Sequence, residues 1–131
     1  MTFATRRLPD APDVTAPDGS DVRILCALAG GSLAHFTLAP GQVSRAVAHR
    51  TVEEIWYVVS GRGEMWRRLD GRDAIVGLEP GVSLTIPRGT AFQFRALGAE
   101  ALAAVAITMP PWPGDGEAYA VAGAWAATVS P

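Results

Sequence analysis

An imidazole and a carboxylate stand close together in residues 41–61, GQVSRAVAHRTVEEIWYVVSG: His49 and, after four intervening residues, Glu54. Such side chains, converging in a protein interior, can hold a divalent metal ion. They can also work as an acid–base pair, because burial and proximity tune both pKa values. The plain alternative is a satisfied histidine–glutamate hydrogen bond near a rim. His35 is the only other histidine. A set of His35, His49 and Glu54 would be a two-histidine, one-carboxylate arrangement, which is a known metal site. Cys26 is the single cysteine, so no internal disulfide exists. It shares its expected face with Val22, Ile24 and Leu28 and reads as a buried structural thiol. Residues 60–63 (SGRG) and 30–32 (GGS) open no helix, so neither reads as a phosphate loop. No serine sits in a nucleophile elbow.

The elements that must position these groups read as β-strands. Gly and Pro punctuate the chain at short intervals, at Gly30-Gly31, Pro40-Gly41, Asp70-Gly71, Pro80-Gly81 and Pro87 to Gly89. Between them run segments rich in Val, Ile, Thr and aromatics, of the usual strand length. Strands are expected at 22–28, 33–38, 43–48, 54–60, 63–69, 73–78, 82–86, 91–96 and 101–108. No window shows a capped 3.6 period. The pattern is that of an all-β sandwich, jelly roll or barrel. Residues 1–20 read as an N-terminal arm, 21–110 as the barrel and 111–131 as a C-terminal arm. Trp112 and Trp125 are expected to pin the second arm to the barrel or to a partner subunit, with the lining of a ligand pocket as the alternative role for Trp112. Arms at both ends of a small sandwich cover or exchange sheet edges, so a homodimer is expected.

Strand parity places Glu54, Trp56 and Val58 on one face and Ile55, Tyr57 and Val59 on the other. Val47 and His49 share a face on the preceding strand. If Ala34, Phe36 and Leu38 pack outward, His35 points into the barrel with Leu33 and Thr37. Val47, Trp56, Phe92 and Phe94, with Met65 or Trp66, would line an apolar cavity, and His35 would join its lining. Ser44, Arg45 and Arg88 are further polar candidates, Arg88 being expected in solvent.

The spacing of residues 41–61 resembles the first motif of the cupin superfamily: glycine, five residues, His-x-His, three or four residues, Glu, six residues, Gly. Here these positions are Gly41, Val47-Ala48-His49, Glu54 and Gly61. Residues 81–96 resemble the second motif: Gly81, five residues, Pro87-Arg88-Gly89, two residues, Phe92, three residues, Ala96. The resemblance implies a double-stranded β-helix, the cupin jelly-roll barrel. It also implies that the four metal-ligand positions of metal-binding cupins are Val47, His49, Glu54 and Phe92. Two of these four are hydrophobic.

Three functions follow from that reading. The first is a cupin that binds a small apolar or aromatic metabolite without a tightly bound metal. It would act as an isomerase, cyclase or dehydratase through His49 and Glu54 as catalytic groups. The second is a metal-dependent dioxygenase or sugar isomerase with an altered ligand set of His49, Glu54 and His35 around a divalent metal ion. The third is a non-catalytic ligand sensor or structural dimer. The 131-residue chain is 49% hydrophobic with a net charge of −2, enough for one globular core. Its scattered arginines argue against a nucleic-acid footprint. No apolar run is long enough to cross a bilayer, and the N-terminus has no signal-peptide core. A soluble cytoplasmic protein is therefore expected.

Overall fold

The computed structural model describes residues 2–129. In chain order the strands are β1 (Val14–Thr15), β2 (Asp21–Leu28), β3 (Gly31–Leu38), β4 (Val47–His49), β5 (Glu53–Ser60) and β6 (Arg62–Leu69). They continue as β7 (Arg72–Leu78), β8 (Ser83–Ile86), β9 (Ala91–Leu97), β10 (Leu102–Met109) and β11 (Ala118–Ala120). No helix long and apolar enough to cross a membrane occurs among the described residues. Two antiparallel sheets form, one ordered β1-β2-β3-β10-β5-β8 and the other β11-β4-β9-β6-β7. Neighbours in each sheet are largely distant in sequence, as in a jelly roll.

Alternation in β5 shows why these residues make this sandwich. Glu54, Trp56 and Val58 are buried, whereas Ile55, Tyr57 and Val59 are about half exposed. The buried set meets the inward faces of the opposing sheet, and Val58, Met65, Leu78, Leu84, Phe94 and Leu102 belong to one core cluster. Gly61 turns the chain between β5 and β6 at φ +81°. A Cβ there would run into the backbone of Ala101 and Leu102, so only glycine fits.

The expected strand 43–48 shrinks to Val47–His49. The Ser44 hydroxyl accepts from Phe94 N at 3.0 Å, taking an amide that a regular ladder would give to a carbonyl. Only an isolated bridge, Val43 with Arg95, remains upstream. Cys26 also departs from expectation. A register shift between Ile24 and Ala27 breaks the parity of β2. The thiol ends half-buried beneath the first arm, 3.8 Å from Ala4 O, not in the core.

Both arms contribute a strand that the sequence reading does not contain. In the first, β1 pairs with β2, and Arg23 on β2 donates from Nε to Pro9 O and from Nη2 to Asp10 O, each at 2.8 Å. Residues 16–18 then reach the mouth of the barrel. In the second, β11 adds to β4. Beyond it, buried Gln93 holds the tail by donating to Ser44 O and Trp125 O and accepting from Trp125 N. The Arg95 guanidinium lies 4.1 Å from the centre of the Trp125 ring system. Trp125 thus holds the arm against the barrel.

Candidate functional site

His49 ends β4 in one sheet and Glu54 is the second residue of β5 in the other. The turn at residues 50–52 carries the chain between the sheets, so the two side chains meet across the sandwich. Glu117 fixes that turn. Its carboxylate accepts from Thr51 N at 2.7 Å, from Val52 N at 3.1 Å and from the Thr51 hydroxyl. Burial pushes the Glu117 carboxyl up, but these hydrogen bonds outweigh it and hold the group below the ordinary carboxylate value.

His49 Nδ1 lies 3.3 Å from Glu54 Oε1, with both side chains about 95% buried. The approach is not aligned for a hydrogen bond, and Nδ1 has no partner among the described residues. Glu54 Oε2 accepts from the Trp56 indole N–H at 2.6 Å. Residues i and i+2 share a strand face, which brings Trp56 to the carboxyl. The His49 ring sits edge-on to Phe92 at 5.2 Å and to Trp112 at 5.1 Å.

Burial drives the two pKa values in opposite directions. It raises Glu54 to about 8, opposed by the Trp56 hydrogen bond and assisted by the nearby Asp18 charge. It lowers His49 to about 4, opposed by the Glu117 charge. Near neutral pH the pair therefore holds a protonated carboxyl beside a neutral imidazole. It is close in space but it is not an ion pair.

These groups open on a cavity of about 300 Å³ at one end of the sandwich. Val47, Phe92, Trp56, Phe36, Ala34 and Trp112 make its walls, and Asp18 from the first arm lies at its edge. Trp56 stacks on Phe36 with ring centres 5.5 Å apart and nearly parallel planes. Asp18 is buried, and its Oδ1 accepts from Ser20 N at 2.9 Å and Ser20 Oγ at 2.6 Å. Burial raises its pKa, opposed by the Ser20 bonds and the Arg45 charge.

The structure brings His49, Glu54, Val47, Trp56 and Phe92 together, as their spacing implies, and separates others. His35 is on the outer face of its sheet. Ala34, Phe36 and Leu38 turn inward, opposite to the arrangement that would have aimed His35 into the barrel. Its register partners, Val105 on β10 and Arg23 on β2, share that outer face. His35 is therefore neither a lining residue nor a partner for His49 and Glu54. Phe94 is one layer deeper, packed edge-on to Trp56 at 5.0 Å, and does not line the cavity. Met65 fills the core, and Trp66 faces away to donate to Asp73. Ser44 is bound to the backbone, Arg45 donates to Pro17 O outside the cavity, and Arg88 is exposed. Asp18 is a lining residue that the sequence reading does not contain, and Trp112, for which packing was the favoured role and pocket lining the alternative, stands in the lining. The only signal for Asp18 was an Asp before Gly19 in a turn-like stretch.

The donor chemistry does not fit a metal ion of the cupin type. Val47 and Phe92 face each other as register partners across β4 and β9, and both are almost wholly buried in the cavity wall. Neither carries a donor atom. Among the described residues no group of three His, Cys, Asp or Glu side chains is placed to hold an ion. His49 and Glu54 alone remain of the four ligand positions.

Comparison with known proteins agrees with the fold. A set of solved structures superposes on most of the chain. An oxalate oxidase in complex with glycolate matches with TM-score 0.70 and 22% identity, over 85% of this chain and 61% of that one. An oxalate decarboxylase of Bacillus subtilis matches with TM-score 0.68 and 19% identity, over 79% of this chain and 28% of that one. A conserved protein of Klebsiella pneumoniae with a double-stranded β-helix domain gives 0.66 and 16%, over 82% and 89%. The chain thus spans under two thirds of the two oxalate enzymes, and these identities speak to the fold alone. No curated protein sequence matches the chain significantly. The Cupin domain family matches residues 34–108, which contain both glycine-bounded motifs, and the chain belongs to that family.

Proposed function

We propose that this cupin binds a small, largely apolar metabolite in its barrel and catalyses a proton-transfer reaction of the isomerase, cyclase or dehydratase class without a tightly bound metal. One observation carries the reading: the His49–Glu54 pair opens on the cavity with its two pKa values pushed to opposite sides of neutrality. A carboxyl kept protonated at neutral pH is a general acid, and an imidazole kept neutral is a general base. Glu54 would give its proton to a carbonyl oxygen of the ligand while His49 takes a proton from the adjacent carbon. Where the ligand is a β,γ-unsaturated ketone, the resulting dienol returns its O–H proton to Glu54 and the imidazolium protonates the γ-carbon, so that the double bond moves into conjugation with the carbonyl. Protons balance, and no oxidant is needed. The apolar walls supply the dry surroundings in which such transfers are effective.

The test is solvent hydrogen exchange. Small apolar ketones incubated with the protein in D2O should gain deuterium next to the carbonyl, read by proton NMR. Glu54→Gln and His49→Gln should each slow that exchange by roughly 10²-fold, the usual worth of a general acid or base. A ketone that binds but exchanges no faster with the protein than without it would leave a binding module, not an enzyme. Metal analysis of the same sample provides the check on the metal-dependent alternative, since a stoichiometric ion lost in His49→Gln would sink the metal-free reading.

A further inference from the structure

The cavity carries a third ionisable group that the cupin motifs do not contain. Asp18 comes from the first arm, before the barrel begins, and it reaches the same lining as His49 and Glu54. Its Oδ1 receives both an N–H and an O–H from Ser20, so that oxygen is held as an acceptor. Asp18 is close enough to Glu54 for its charge to be felt there. No arginine lines the cavity, and the chain has no lysine at all. The charged or chargeable groups facing the space are therefore two carboxyls and one imidazole, and the imidazole's Nδ1 is buried without a hydrogen-bond partner.

That composition selects by charge. A carboxylate or phosphate ligand would enter an apolar space with no cation in its lining to meet it and the Asp18 carboxylate to repel it. A neutral ligand would leave the buried Asp18 acceptor with little gain. A cation would supply what the lining lacks. The ring faces of the aromatic wall favour it further, because an ammonium is attracted to the negative face of tryptophan and phenylalanine. Outside the cavity Arg45 offsets part of the Asp18 charge, since it feels that carboxyl while donating to Pro17 O.

We propose that Asp18 is the specificity-determining residue of this site and that the cavity takes a small organic ammonium, an amine with an apolar or aromatic body. Asp18 receives the ammonium group, the walls formed by Phe36, Trp56, Phe92 and Trp112 receive the body, and His49 with Glu54 faces the portion that reacts. The inference rests on the small-molecule reading of the cavity and adds the charge of the ligand to it.

Three probes of one shape separate the outcomes: 2-phenylethylamine as cation, 2-phenylethanol as its neutral counterpart and 3-phenylpropionate as anion. Binding is read by quenching of tryptophan fluorescence, because Trp56 and Trp112 lie in the wall, and by calorimetry. The amine should bind at least tenfold more tightly than the alcohol, and the propionate should show no saturable binding. Asp18→Asn keeps the shape and removes the charge. In that variant the amine should fall to the level of the alcohol, with alcohol affinity unchanged, which also shows that the variant is folded. Equal affinity for alcohol and amine, preference for the propionate, or an amine preference that survives Asp18→Asn would each overturn the assignment and leave the cavity reading intact. Failure of all three probes to bind would overturn both.

Discussion

Val47 and Phe92 replace two ligands together, and the geometry explains why together. They are register partners across β4 and β9, in the same wall as His49. A histidine left alone at either place would put an unpaired imidazole against an apolar neighbour, at a cost of about 1–3 kcal/mol. Two apolar side chains instead make a dry surface. Restoring both donors should restore the ion site. Val47→His/Phe92→His is expected to hold close to one divalent ion per chain after dialysis, measured by elemental analysis, with each single variant holding much less. A folded double variant that retains none would show that the pair of strands no longer presents the cupin ligand geometry. The positions of Val47, His49, Glu54 and Phe92 were readable from sequence because glycine-bounded motifs fix them by spacing. His35 was not, because both faces of its strand carry apolar groups, Ala34, Phe36 and Leu38 on one and Leu33 beside Thr37 on the other. Alternation alone does not say which set faces the core. Asp18 was beyond reach, and Trp112 was legible only as an alternative, for another reason: they join the site from arms that no local pattern ties to it.

The strands of the barrel were legible because turn residues bracket them, and the arms were legible as arms because their apolar positions are sparse. What they cover was not, since β1 and β11 are short strands whose partners, β2 and β4, are fixed only in three dimensions. The first arm lies along β2, where Arg23 holds it, and leaves the outer face of β5 and β10 open. Ile55, Tyr57, Val59 and Ile107 are exposed there at 43–51%. An isologous contact sets a patch against its own copy, so an uncharged patch is self-compatible where a charged one would repel itself. Phe3 at the tip of the arm is fully exposed and offers a further apolar group to such a partner. We infer that two copies of the chain associate through this face. Sedimentation should give a dimer at micromolar concentration, and Tyr57→Glu, which plants a charge in the centre of the face, should give a monomer with an unchanged cavity. A wild-type chain that sediments as a monomer at such concentrations would end the idea.

The stability of the entire chain should record the state of the buried pair, because protons bound differently in the folded and unfolded states make stability depend on pH. Glu54 has its folded pKa raised from 4.5 to about 8. Above pH 4.5 the unfolded chain releases a proton that the folded chain keeps, so this group makes stability fall as pH rises, until about pH 8. His49 has its folded pKa lowered from 6.5 to about 4. Between those values the unfolded chain binds a proton that the folded chain does not, so this group makes stability rise with pH. From about 4.5 to 6.5 the two slopes oppose each other and largely cancel. From 6.5 to 8 only the Glu54 slope remains, and its integral is on the order of 2 kcal/mol. Of the acids around the pair, Asp18 is also raised and adds to the fall from its lower starting value, whereas Glu117 is lowered and helps only as pH climbs out of the acid range. The urea midpoint should therefore be nearly level from pH 5 to 6.5 and should drop from 6.5 to 8. Glu54→Gln, which cannot ionise, should stay level across that upper range. If the variant drops as steeply as the wild type, Glu54 is not the group that keeps its proton, and the acid role assigned to it fails with the stability argument.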